Sequence, residues 1–238
     1  MLSMLRLSRN LLQPTTSARA SHFGAVHNKT NLEANLDVDE LTIASKSFSL
    51  FPSPKVVVPT FDLTRRLGAL FSQAVYQLVY ERAYTKEGLV RAANEGLSVL
   101  GACIANEEWD RMSLVASKDL VEQAKIARRR CTEQQLPLLR FSPDDVVLSF
   151  IHSTLLSGRD FRNRKAEQGV ISIYFTIASF IRKNKSVPWE ATLPQLLDKY
   201  KNDVIASNVT FARNLSPLGH WKATGVNFFE INDIVERR

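Results

Sequence analysis

From residue 61 to about residue 130 apolar side chains recur every three or four positions, and from about 146 to 231 they recur every second position. The first spacing belongs to amphipathic helices and the second to half-buried strands. Leu63, Leu67, Leu70, Phe71, Ala74, Val75, Leu78 and Val79 predict one helix over residues 61–84. Thr85 is placed to cap a second, carried by Leu89, Ala93, Leu97, Leu100 and Ile104 at spacings of four, four, three and four. Gly96 and Gly101 cost that helix propensity, which is tolerable where a neighbouring helix must come close. Asn106 with Glu107 and Glu108 reads as a helix start, its acids set against the positive dipole end and followed by Trp109, Met112 and Val115. Ser117 with Asp119 opens another, running through Val121 and Ala124 to Arg128, Arg129 and Arg130, which suit a helix C-terminus.

Between Val170 and Arg182, Ile171, Ile173, Phe175 and Ile177 point one way, while Ser172, Tyr174, Thr176 and Ala178 point the other. One core face and one wetter face are expected. Residues 146–156 are the expected hairpin partner, across a long connection from Ser157 to Gln168. Two more strands, 203–213 and 221–231, flank the turn-like 214–219, and Pro188-Trp189-Glu190 with a short segment 193–200 form the crossover between the strand pairs. Helices first and strands afterwards give an α+β fold: N-terminal helices packed on one face of a curved antiparallel sheet of about four strands.

Ahead of this pattern the chain changes character. Residues 1–24 carry Leu2, Leu5, Leu7, Leu11 and Leu12 among arginines and serines, and no acid precedes Glu33. That composition is expected of a mitochondrial transit peptide, because Arg6 and Arg9 interrupt the apolar block that a secretory signal needs. Residues 25–59 hold no lasting period and are expected to form a flexible linker that tightens toward Phe51-Pro52-Ser53-Pro54. Residues 60–236 are then the folded domain. The formal charge of +7 favours anionic partners, but removing a leader that contains Arg6, Arg9 and Arg19 takes part of it away and weakens the case for nucleic acid.

No Gly-rich phosphate loop, His-Glu-x-x-His, Gly-x-Ser-x-Gly or dinucleotide fingerprint occurs. Cys103 and Cys131 show no metal-ligand spacing and read as reduced thiols. The sequons at Asn28 and Asn208 read as silent, and Asp144 with Asp145, after Pro143, as turn residues. His152 and His220 lack a partner acid and nucleophile in view, so no catalytic residue, metal, cofactor or small-molecule substrate is expected.

The basic residues carry more weight. A hairpin of 146–156 with 170–182 brings Arg140 to the end that holds Arg182, Lys183 and Lys185, with Arg128, Arg129 and Arg130 adjoining. Arg159, Arg162, Arg164 and Lys165 fall at the opposite tip. Such an end suits anionic lipid, at about 1 kcal/mol per cation close to the surface, or ribosomal RNA. In the first helix no charge falls between Arg66 and Glu81, fourteen residues against the roughly twenty that span a bilayer. The helix is expected either to lie in a membrane interface or to pack in the core. In the interface, Leu67, Leu70, Phe71, Val75 and Leu78 face lipid, Arg65 and Arg66 meet phosphate, and Tyr76 and Tyr80 reach headgroup depth.

The run Arg82-Ala83-Tyr84-Thr85-Lys86-Glu87, with Asn94-Glu95-Gly96, Trp109-Asp110 and 114–120 (Leu-Val-Ala-Ser-Lys-Asp-Leu), resembles the Tim-forty-four-like superfamily, and within it the m-AAA protease-interacting branch. The resemblance covers roughly residues 61–233. It implies a helix-plus-sheet domain related to nuclear transport factor two, with a concave pocket, no enzymatic activity, and a peripheral place on the matrix face of the mitochondrial inner membrane. It further implies binding to the m-AAA protease and escort of a newly imported inner-membrane client, a regulatory subunit of the calcium uniporter. A mitoribosome-bound membrane tether is the alternative within the same superfamily. The connection 157–168 is longer and more basic than the group leads one to expect.

Overall fold

In the computed structural model, which describes residues 47–59, 61–158 and 171–231, the two periodic regions form two layers. The helical layer contains α1 (Leu63–Val75), a π-helical turn (Tyr76–Tyr80), α2 (Lys86–Asn106), α3 (Trp109–Val115) and α4 (Lys118–Arg128). Strands β1 (Val146–Ser157), β2 (Ser172–Arg182), β3 (Val204–Asn214) and β4 (Lys222–Phe229) follow, with the short α5 (Leu193–Leu197) between β2 and β3. The sheet is open, wholly antiparallel and ordered β1-β2-β3-β4. This is the expected α+β class.

Caps explain the helix boundaries. Asp62 Oδ1 accepts from Thr64 N at 2.9 Å and starts α1; Thr85 Oγ1 accepts from Gly88 N and starts α2, and Ser117 Oγ accepts from Leu120 N and starts α4. The helix expected over 61–84 is shorter than its pattern. Glu81 N donates to Tyr76 O, five residues back, so the last turn widens into a π-turn and the chain leaves the helix at Glu81. A second correction falls at 106–108: α2 continues through Asn106 and Glu107 ends it with φ 61°. Asn106 is therefore a helix terminus and not a start. Its Oδ1 accepts from Arg140 Nε at 3.1 Å.

Ile173, Phe175, Ile177, Ile205, Val209, Val226 and Phe228 face the helices and pack on Leu97, Leu100, Ile104, Met112 and Ala124. Gly101 permits the closest approach, since a Cβ there would meet Leu139 O at 2.3 Å. At Gly96 the intruding group is the ring of Phe211, at 2.9 Å.

The opposite sheet face was expected to be the wetter one, and half of it is buried. Tyr174 and Thr176 are only half-buried, but Ala178 is buried, and Phe180 enters a second core with Val187, Leu196, Val204, Ala206 and Phe229. Val57 closes that core. Residues 47–58, expected as the end of a linker, pack as a strap along β4: Leu50 N donates to Phe228 O at 2.9 Å, and Glu230 N to Phe48 O at 2.8 Å. Residues 47–58 thus pack with the domain, ahead of the boundary expected at 60. Two buried asparagines fasten the strap, Asn227 through Phe51 and Pro54 and Asn208 through Val56. The expected leader, residues 25–46 of the expected linker, the Asn28 sequon, and Arg159, Arg162, Arg164 and Lys165 lie outside the described residues.

Candidate functional site

The amphipathic pattern of α1 is turned outward. Ser72 and Gln73 face the domain, with Gln73 Nε2 donating to Thr154 Oγ1 at 2.9 Å. Leu63, Leu67, Leu70, Phe71 and Leu78 are exposed, Phe71 by 68% and Leu78 by 73%. At 100° per residue these side chains fall within an arc of about 100°. Leaving a leucine or phenylalanine in water forgoes roughly 1.5–3 kcal/mol of burial, and so many adjoining ones mark an interaction surface. Val75 is half-buried and belongs less to the stripe. Arg65 and Arg66 are exposed on the same helix. Tyr76 corrects the expectation of two headgroup tyrosines, because it is fully buried. Its ring meets Tyr84, Phe175 and Trp221 edge-on, at centroid distances of 5.3, 5.9 and 6.1 Å. Burial, with the Glu81 carboxylate beside the hydroxyl, pushes its pKa up to about 12. Tyr80 is half-buried. Among the described residues no helix is long and apolar enough to cross a membrane.

Between α1, the start of α2 and the middle of β1 lies a groove of about 910 Å³. Leu63, Leu67, Leu70 and Val90 form its apolar walls; Arg66, Lys86 and Arg91 bring cations to it, against the single acid Glu87. Ser149, Phe150, Ile151 and His152 of β1 form its floor. Asn94 Oδ1 ties α2 to this floor, accepting from Ser149 Oγ and Ser179 Oγ at 3.0 Å each. Gln73 also lines the groove, and among the described residues its buried Oε1 has no hydrogen-bond partner. Nothing in the sequence spacing announces this groove, since Lys86 and Arg91 sit beside an ordinary helix start.

The expected basic end does assemble. Arg140, Arg182, Lys183 and Lys185 line a hollow of about 310 Å³, joined by Asp145. Its cations are partly engaged within the fold. Arg182 Nε donates to Asp145 Oδ1 at 3.3 Å and its guanidinium stacks 3.8 Å from the centroid of the Trp189 ring. Lys183 Nζ meets Glu230 Oε1 at 2.6 Å. Arg128, Arg129 and Arg130 do not line the hollow, and Arg128 turns to Glu107 at 3.5 Å. Asp145 also accepts from Ser142 N at 3.0 Å, the turn role read from the sequence.

His152 sits where the β1 register slips between Ile151 and Ser153. Burial, and then the charge of Arg65, hold its pKa below the usual imidazole value. Among the described residues no three His, Cys, Asp or Glu side chains come together to hold a metal ion. Burial raises both cysteine thiols, and neither cysteine is bridged. Asn208, the second sequon, is fully buried with its amide bound to Val56, which leaves no room for a glycan in the folded chain.

No family model matches the chain, and no curated protein matches it.

Proposed function

We propose that this chain is a non-enzymatic adaptor seated peripherally on the matrix face of the mitochondrial inner membrane, with α1 as its interfacial helix. The observation that carries the membrane part is the outward stripe of Leu63, Leu67, Leu70, Phe71 and Leu78 beside Arg65 and Arg66, since such a face gains from insertion at an anionic interface. The rest follows from the resemblance to the Tim-forty-four-like superfamily. The adaptor binds the m-AAA protease and holds a newly imported subunit, a calcium-uniporter regulator, out of its reach until assembly. The mitoribosome tether is the second reading, favoured by the hollow that carries Arg140 and Lys185.

Affinity isolation of the tagged protein from mitochondria in mild detergent, at low and at high salt, separates the two. Salt-resistant recovery of protease subunits supports the adaptor. Recovery of large ribosomal subunits that is lost at high salt supports the tether, because phosphate contacts weaken steeply as salt rises. The same membranes washed in carbonate should release the protein, and retention would overturn a peripheral α1.

A further inference from the structure

The two outer strands of the sheet are treated differently. The free side of β4 is taken up at both ends: residues 48–50 bond to it at Phe228 and Glu230, and Ser117 N donates to Ala223 O at 2.8 Å. Strand β1 is the other edge; past Val146, whose N donates to Pro143 O, no backbone hydrogen bond among the described residues reaches it except from β2. It is twelve residues long and contains no Lys, Arg, Asp, Glu or Pro, the residues that usually blunt an edge against pairing. Side chains of neighbouring strand residues point to opposite faces. Ser149 and Ile151 go toward the helices and Phe150 into the second core, yet all three line the same groove, so what the groove lays open there is the strand's edge.

We propose that the β1 edge at residues 148–152 receives an extended, acidic strand from a partner protein, which joins the sheet as a fifth strand beneath α1. Backbone hydrogen bonds supply affinity in such an addition, and pockets for alternate side chains supply selectivity. The apolar walls from Leu67, Leu70 and Val90 take the apolar positions, and Arg66, Lys86 and Arg91 set the preference for acids. A second copy of this chain is the poorer occupant. Its own β1 carries no acid, and pairing two copies brings their cationic rims together. The site deepens the adaptor reading and rests on it only in taking the strand from another protein.

The probe is a synthetic peptide of about ten residues, the upper end of usual strand lengths, alternating threonine or isoleucine with glutamate and bearing a fluorophore. Its binding to the full chain should saturate and should slow amide exchange at 148–152. Replacing its glutamates by lysine, or charge reversal in the exposed pair Lys86→Glu with Arg91→Glu, should each weaken binding by about tenfold or more. Combining the lysine peptide with that variant should restore binding. N-methylation of alternate peptide amides, which removes the ladder and keeps the charge, should abolish it. Absent binding, equal binding of the N-methylated peptide, or slowed exchange confined to other segments would each overturn the site. So would slowing at β1 that follows protein concentration without peptide, which would assign the edge to a second copy. Failure to recover protease or client from mitochondria bears on the adaptor reading alone, because strand addition is read with purified protein.

Discussion

Arg213 Nη1 donates to the hydroxyl of Tyr76 at 3.0 Å, joining strand β3 to the π-turn that ends α1. The same nitrogen donates to Glu81 Oε2 at 2.9 Å, Arg213 Nε donates to Gly219 O at 2.8 Å, and the Tyr76 hydroxyl is itself bonded to Glu81. This cluster fixes the end of α1 in the core. The helix beyond it is held at its middle by Gln73 on Thr154, which leaves the apolar stripe facing out.

Tyr76→Phe should therefore cost about 1 kcal/mol, the loss of one hydrogen bond, and Arg213→Met should cost about 2–3 kcal/mol because several acceptors lose a charged donor together. Urea unfolding of the single and double variants should show coupling of more than about 0.5 kcal/mol. Strictly additive costs would separate the two residues. Since the folded-state pKa of Tyr76 lies near 12, above the ordinary value of 10, its contribution is present below pH 10 and lost as pH rises toward 12. Tyr76→Phe should lessen that alkaline loss.

The strap depends on Asn227, whose side chain accepts from Phe51 N at 2.9 Å and donates to Phe51 O and Pro54 O at 3.0 and 2.8 Å. Asn227→Ala leaves these buried backbone groups unmet and should cost about 2–3 kcal/mol. Limited proteolysis should then cut within 47–58 under conditions where the wild type stays whole. An uncut strap and an unchanged midpoint would show that Phe48, Leu50 and Val57 hold it without the asparagine.

His152 gives a stability effect near neutral pH. Its folded-state pKa is lowered by burial and by Arg65, so the unfolded chain takes up a proton first as the pH falls. Stability is then full above the unfolded value of about 6.5 and declines below it, down to the folded pKa. Asp62 and Glu108, whose carboxyls are held below their usual values by hydrogen bonds, lose their contributions at lower pH. His152→Gln should flatten the melting temperature just below pH 6.5. Arg65→Glu should raise the His152 pKa in an NMR titration, and an unmoved pKa would place Arg65 out of its reach.

Sequence periodicity was enough to place β1 to β4 and α2, because one buried face dictates each spacing. It also foretold the meeting of Arg140 with Arg182, Lys183 and Lys185, since a hairpin must bring its two ends together. The direction of α1 was not legible, because a stripe looks the same whether it faces a core or a bilayer. What decides the direction is Gln73 reaching Thr154 and Tyr76 entering the core, and both depend on residues distant in the chain. The second core escaped for a related reason: Val57, Val187 and Leu196 lie in three separate irregular or short segments and share no period. Asn208 reads as a sequon and Asn227 lies unremarked inside the expected strand 221–231, while the fold uses both as buried clamps for backbone that no periodicity places there.

The outward stripe of α1 is tested most directly by flotation of the protein with liposomes rich in anionic phospholipid, beside the variant Phe71→Ser with Leu78→Ser. Both side chains are more than two-thirds exposed and neither lines the groove over β1, so folding and strand binding should be untouched. Wild type should float with anionic vesicles and less with neutral ones, and the double variant should bind about tenfold or more weakly at an unchanged melting temperature. Equal flotation of variant and wild type would contradict a membrane-facing α1.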